Sequence, residues 1–208
     1  LYDTEHDGQH HELGTSGFLY RSNKLMYDEK TFSLWSTMNG KPVIGPLVGQ
    51  GIELKPRYSV TTTWGRWKIL HPDTQVLSLD TGHRRDYGEG VAYKEYFSTD
   101  KLMFSVPFED DRLKNKAEVL ALRFGDGETT PTAVSVSFLK ENPIYQNQFG
   151  KRDYVILTDQ SGASRVYEAV GQNFEHYDGD VTVRDQTGTE WKLTEAALKD
   201  DKGRELMR

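Results

Sequence analysis

Gly14-Thr15-Ser16-Gly17-Phe18-Leu19-Tyr20-Arg21-Ser22-Asn23-Lys24-Leu25-Met26-Tyr27-Asp28-Glu29-Lys30-Thr31-Phe32-Ser33-Leu34-Trp35 is the stretch that decides the fold class. Gly14 and Gly17 bracket two small polar residues, which suits a bent strand or a bulge, where a Cβ would restrict the backbone. Phe18, Leu19 and Tyr20 are bulky and β-prone. Arg21, Ser22, Asn23 and Lys24 form a polar turn. Leu25, Met26 and Tyr27 resume the apolar run, and Asp28, Glu29 and Lys30 turn again. Phe32 and Leu34 then alternate with Ser33 ahead of Trp35. The pattern predicts three short antiparallel strands, with Phe32, Leu34 and Trp35 in the core.

Moving outward toward the N-terminus, Asp7-Gly8 between Leu1-Tyr2-Asp3 and His10-His11-Glu12-Leu13 signals a hairpin. Toward the C-terminus, Gly and Pro punctuate residues 39–46 as loop and short strand, and residues 51–58 predict a strand ending at Pro56. Trp64, Trp67 and Leu70 recur at three-residue spacing behind Thr61-Thr62-Thr63 and ahead of Pro72, which predicts a helix of about two turns. Residues 75–79 predict a strand that runs into Asp80-Thr81-Gly82-His83-Arg84-Arg85-Asp86-Tyr87-Gly88. Residues 89–111 are aromatic and acidic without periodicity, and predict a long ordered loop. Residues 119–124 predict a strand closed by Gly125-Asp126-Gly127. Residues 132–139 fit either a strand or a short helix after Pro131. Residues 154–158 and 165–170 pair across Asp159-Gln160-Ser161-Gly162-Ala163, and residues 181–183 and 191–193 repeat that logic. Glu195-Ala196-Ala197-Leu198 is locally helix-prone, with loop as the alternative.

Asp185-Gln186-Thr187-Gly188-Thr189-Glu190-Trp191 is similar to residues 28–35, with one insertion in the first copy and a shared Thr-x-[Ser/Thr]-x-Trp core. This similarity predicts an internal duplication, with related β units at about residues 1–125 and 150–208. The second copy stops short of the Trp-bearing helix that follows the first, and the chain opens in a strand-like segment without Met. Both features predict that these 208 residues belong to a longer protein.

Composition limits the function classes. The formal net charge is -6 with no basic patch, so no nucleic-acid partner is expected. No apolar run reaches the roughly 18 residues of a membrane span. There is no Cys, which excludes disulfides, thiolate metal ligands and Cys nucleophiles within these residues. With 4 Trp, 11 Tyr and 9 Phe, the chain carries enough bulk to fill a core.

Residues 14–22, 25–28, 33–35, 45–47, His71-Pro72, residues 80–88 and Asp110-Asp111-Arg112-Leu113 occur in the order that resembles the bacterial domain-of-unknown-function family 3179. The resemblance covers essentially the whole chain. It implies a β-rich domain of exported or envelope-associated bacterial proteins, with no assigned activity. Its members commonly carry a Cys-x-x-Cys-like segment just before the position of Leu1 and a Trp-rich helix after that of Arg208. Neither is present here, so chemistry that depends on those cysteines cannot be argued from these residues.

Three clusters could carry chemistry. The first is the loop of Asp80, His83, Arg84, Arg85, Asp86 and Tyr87, because clustered ionisable groups at a strand end often build sites. Its Asp-Thr-Gly has no second copy to share a proton with, which argues against an aspartic-protease pair. A structural ion pair between Asp86 and an Arg is the simpler account. The second is His6, His10 and His11 with Asp3, Asp7 and Glu12, whose imidazole and carboxylate donors suit zinc or copper although no motif spacing matches. The third is Tyr20, Ser22 and Asp28, where Ser22 lacks a nucleophile elbow. Asp110-Asp111-Arg112 is expected to cap a turn, and Gly125-Asp126-Gly127-Glu128 lacks the Lys of a phosphate loop.

The sequence therefore predicts a mainly β protein. It is expected to form one domain of antiparallel, barrel-like sheets with one or two short helices. The leading functional expectation is a periplasmic or envelope-associated binding module that presents residues 80–96 and the aromatic segment up to Phe108, with Asp80, His83, Arg85, Asp86 and Tyr87 as binding residues. The alternative is a metal-dependent or hydrolytic enzyme that gathers His83, Asp86, Tyr87 and Arg112.

Overall fold

The computed structural model describes residues 1–123 and 130–208. The predicted Gly125-Asp126-Gly127 closure and the comparison of residues 125–128 with a phosphate loop lie outside the described residues. In chain order the elements are β1 (Glu5–His6), β2 (Gln9–His10), β3 (Leu13–Tyr20), β4 (Asn23–Asp28), β5 (Leu34–Ser36), β6 (Lys41–Ile44), α1 (Trp64–Leu70), α2 (Lys94–Phe97), β7 (Val119–Leu122) and β8 (Thr132–Ser135). There follow α3 (Val136–Glu141), β9 (Ile144–Phe149), β10 (Arg152–Thr158), β11 (Ser164–Glu168), β12 (Phe174–Tyr177), β13 (Thr182–Asp185), β14 (Glu190–Leu193), β15 (Ala197–Asp200) and β16 (Glu205–Met207). The protein is mainly β. Its strands form five antiparallel sheets among the described residues, with three short helices and no closed barrel. The backbone clusters into two compact units, Leu1–Ser59 with Gly88–Asn115 and Val60–Tyr87 with Lys116–Arg208.

The first unit holds the hairpin β1–β2, turned by Asp7 and Gly8, and the meander β3-β4-β5-β6. β3 and β4 are joined by Arg21 and Ser22, both at positive φ, which is the two-residue turn that matches strand twist. The predicted turn over residues 21–24 is therefore shorter than expected, and Tyr20 already pairs with Asn23. Register shifts between Thr15 and Leu19, where Gly17 sits at φ 77. Trp35, Leu47 and Leu54 form the core, with Tyr2, Leu13, Met26 and Ile52 packed against it. Phe32 is not in that core. It takes a left-handed turn conformation at φ 56, and its ring lies exposed, stacked on Tyr27. Residues 51–58 contribute a single bridge, Tyr2 to Pro56, in place of the expected strand.

The second unit is organised around strands β9 to β16. The three-stranded sheet β11-β10-β9 and the five-stranded sheet β12-β13-β14-β15-β16 share one core of Val155, Leu157, Tyr167, Phe174, Val183, Trp191, Leu198 and Leu206. The opposite face of β10, carrying Tyr154 and Ile156, packs with Leu122, Val134, Leu139 and Phe149, so β7, β8 and α3 cover it. This central strand is buried on both faces, which is why residues 154–158 read as a near-continuous apolar run. The arrangement is barrel-like, and side chains rather than a main-chain ladder close its two seams. Between β9 and β12, Gln146 Oε1 accepts the Phe174 N–H at 2.6 Å and its amide donates to Gln172 O at 3.1 Å. On the other side, the Tyr167 hydroxyl of β11 donates to Thr194 O at 2.8 Å.

The helix α1 forms where Trp spacing and Thr predicted it, with Thr63 Oγ1 accepting the Arg66 N–H at 3.2 Å. The alternatives for residues 132–139 are both realised in succession: a strand to Ser135, then a helix that Ser135 caps. The strand expected at residues 75–79 is absent. Among the described residues no strand pairs with that segment, and Val76, Leu77 and Leu79 are exposed. Residues 197–200 form β15 because β14 and β16 flank them, and that pairing overrides their helical propensity.

Candidate functional site

The loop of residues 80–87 lies in the second unit and is exposed throughout. Its ends are tied by the Thr81 hydroxyl and the Tyr87 phenol at 2.9 Å. The His83 N–H donates to Thr81 Oγ1 at 3.3 Å and the Arg85 N–H to His83 O at 3.1 Å. Asp80, His83, Arg85 and Asp86 thus share one surface loop, shaped by hydroxyl and main-chain bonds. Arg112 belongs to the first unit, where its guanidinium grips Asp110 at 2.9 and 3.1 Å through Nε. The Arg112 N–H also donates to Asp110 Oδ1, so Asp110 holds the turn as expected. Those bonds bring the Asp110 carboxyl down to about 2.

The three N-terminal histidines diverge. His6 faces Asp7 at 3.5 Å, His10 Nδ1 lies 3.4 Å from Thr4 Oγ1, and His11 turns inward. Among the described residues no three His, Asp or Glu side chains gather as a metal-ligand set. His11 instead meets Asp28 at 2.9 Å, with His11 only 2% and Asp28 1% exposed. Asp28 Oδ1 accepts the Lys30 N–H, the Thr31 N–H and the Thr31 hydroxyl. Burial pushes the Asp28 carboxyl up, but the bonds from His11, Thr31 and Lys30 outweigh it and leave it below its ordinary value. The His11 ring packs 5.0 Å from that of Trp35, whose buried indole N–H has no hydrogen-bond partner among the described residues. Sequence reasoning treated His11 and Asp28 as members of separate clusters. The only local signal joining them is that each sits next to a turn.

The turn at Asp185 is built like that at Asp28. Asp185 Oδ1 accepts the Thr187 N–H, the Thr187 hydroxyl and the Thr189 N–H, and Oδ2 accepts the Trp191 indole N–H at 2.9 Å. The Asp28 N–H reaches Ser33 O, five residues on, whereas the Asp185 N–H reaches Thr189 O, four residues on. The first turn is therefore one residue longer than the second. The same turn recurs at Asp159, closed by Ser161 and Ala163, and at Asp200, closed by Lys202 and Arg204.

A different kind of surface lies at the tip of β3–β4. Phe18, Leu19 and Tyr20 are all exposed there, on both faces of the ribbon, and the Arg21 guanidinium lies 5.3 Å from the centre of the Tyr20 ring. The Ser22 hydroxyl donates to Ser105 O at 3.2 Å, which brings the segment with exposed Met103 and Phe104 against the hairpin turn. Tyr93, Phe97 and Phe108 are exposed in the same stretch of chain. Sequence reasoning found that aromatic segment but not its contact with the hairpin, which spans residues 83 apart.

The sequence matches the family described as "Protein of unknown function (DUF3179)" over residues 1–207. The chain belongs to that family. No curated protein and no solved structure matches it.

Proposed function

We propose that this chain is an extracytoplasmic binding module whose partner is a protein segment, held at the tip of β3–β4 and the adjoining residues 103–105. The observation that carries this reading is the concentration of exposed large apolar side chains at a hairpin turn, Phe18, Leu19 and Tyr20 beside Phe104. Exposed large apolar side chains gathered at one place mark interaction sites more often than scattered ones do. Tyr and Arg beside one another are the residue types enriched where binding energy concentrates. The ionisable loop with Asp80, His83, Arg85, Asp86 and Tyr87 provides a second, polar contact surface. The family resemblance supports the extracytoplasmic placement.

The test is to pan a displayed random-peptide library in parallel on the wild-type protein and on a Phe18→Ser/Tyr20→Ser variant. Peptides enriched on the wild type alone are the expected result. Equal enrichment on both, or none on either, overturns the reading. Elemental analysis separates the alternative of a metal-dependent or hydrolytic enzyme around His83 and Asp86: stoichiometric zinc or copper, lost in His83→Ala, would move the function to that loop.

A further inference from the structure

Arg165 and Arg208 converge on a single carboxylate in the second unit. Arg165 donates to Glu195 Oε1 through Nε at 3.2 Å and Nη2 at 2.9 Å, and Arg208 Nη1 donates to Glu195 Oε2 at 3.0 Å and to Glu195 O at 3.2 Å. The two arginine side chains are sunk, 12% and 8% exposed, while the Glu195 side chain that joins them is 69% exposed. The guanidinium of Arg165 is aimed from behind. Its Nη1 faces Asp159 Oδ2 at 3.3 Å, and Asp159 is itself fixed by Ser161 and Ala163. The base of the site is fixed too, since the Tyr167 hydroxyl holds Thr194 O and the Arg208 N–H holds Ala196 O.

We infer that Arg165 and Arg208 form a binding site for a tetrahedral oxyanion, of the phosphate-monoester or sulfate class, and that Glu195 is its built-in occupant. Three points support this. The cations are buried and oriented by the fold, whereas the carboxylate is the exposed and replaceable member. Glu195 fills the site poorly, because the forked Nε and Nη2 of Arg165 both fall on one oxygen. A fork of this kind binds best to two oxygens of one anion, and a tetrahedral group offers Arg165 two and leaves a third for Arg208. Exchanging Glu195 for an external anion also keeps charge in place, so neither guanidinium is left buried without a counter-charge. The site lies where β11 faces the β14–β15 turn and the residue after β16. It is independent of the hairpin surface in the first unit.

Inorganic phosphate is the probe, titrated into the full chain at physiological ionic strength by calorimetry and by the arginine Nε–H resonances. In the wild type, millimolar phosphate should shift the Arg165 and Arg208 resonances together. Glu195→Ala should bind one phosphate per chain at least about tenfold more tightly than the wild type. Adding Arg165→Lys to that variant keeps the charge but removes the fork, and should cost at least about tenfold in affinity. If Glu195→Ala is not folded, Glu195→Gln gives the same reading. A folded Glu195 variant without saturable phosphate binding, a lysine variant that binds equally well, or wild-type resonances that do not move would each overturn the proposal. Competition by sulfate would assign the site to tetrahedral oxyanions generally. Failure to compete would restrict it to phosphate.

Discussion

His11 Nδ1 stands 2.9 Å from Asp28 Oδ2, on the carboxylate oxygen that in the Asp185 turn belongs to an indole N–H. The two turns use Oδ1 alike and differ in what caps Oδ2. In one it is the tryptophan of the following strand. In the other a histidine from the link between β2 and β3 intervenes, and the Trp35 N–H is left buried without a partner among the described residues. Removing His11 therefore deprives a buried carboxylate of its strongest donor. His11→Ala should destabilise the protein by about 2–3 kcal/mol, with His11→Gln recovering part of that through its amide. Urea denaturation of the two variants checks this, and equal loss in both would show that the void rather than the hydrogen bond matters.

Acid should weaken the fold through the same turns. For Asp28, Asp159 and Asp185, burial pushes the carboxyl up, and hydrogen bonds from neighbouring hydroxyl, N–H and ring or guanidinium groups bring it below its ordinary value. The unfolded chain then takes up these protons first, near the usual Asp value of about 3.9. The stability they confer is complete above that value and is lost as pH falls through the lower folded values. The urea midpoint should hold steady from neutrality to about pH 5 and then decline. Asp185→Asn should lower it at neutral pH and flatten the decline. A midpoint that rises on acidification would contradict the sign.

Backbone conformation makes a separate prediction. Gly188 sits at φ 82 with open space where a Cβ would go, so Gly188→Ala meets strain but no clash. It should cost about 1 kcal/mol. Phe32 occupies a left-handed position in the first turn with an exposed ring. Asn tolerates that conformation better than Phe, so Phe32→Asn should leave stability unchanged or raise it. Thermal melts of both variants are sufficient to test this.

The core of the second unit should be intolerant of truncation. Leu157, on β10, is fully buried in the core that its sheet shares with the five-stranded sheet. Leu157→Ala should cost about 2–5 kcal/mol through lost contacts and the cavity left behind. By contrast His83→Ala, on an exposed loop, should change stability by less than about 0.5 kcal/mol. A large effect at His83 would mean that its side chain helps to anchor the loop.

Local rules served this sequence well wherever a turn or cap carries its own chemistry. Asp7-Gly8, the Asp159 to Gly162 turn and the Thr63 cap were legible because each depends on neighbours within a few residues. Residues 75–79 have the apolar alternation of a strand but no partner strand, and alternation alone does not supply one. Glu195-Ala196-Ala197-Leu198 favours a helix in isolation, yet its second half enters β15 because two neighbours offer ladders. The buried pair His11 and Asp28, the contact of Ser22 with residues 104–105, and the convergence of Arg165, Glu195 and Arg208 all join distant parts of the chain. No spacing rule reaches across such separations. Of the candidate site residues, the sequence grouped Asp80 to Tyr87 on one loop, which is where they lie. It could not read that the loop is exposed, because exposure depends on what else covers it.

The seam at Gln146 implies something about how the second unit comes apart. The Gln146 side chain spans the gap between β9 and β12, and β11 is tied by a phenol to the β14–β15 turn and by the Arg165–Glu195–Arg208 cluster to the residue after β16, while every other neighbouring pair of strands among β9 to β16 shares a main-chain ladder. The two groups of strands can therefore separate like the leaves of a book, with every ladder bond in each leaf intact. Such a body would relax by unclasping before it melts, and amide exchange would register β9 to β11 and β12 to β16 as two cooperative blocks.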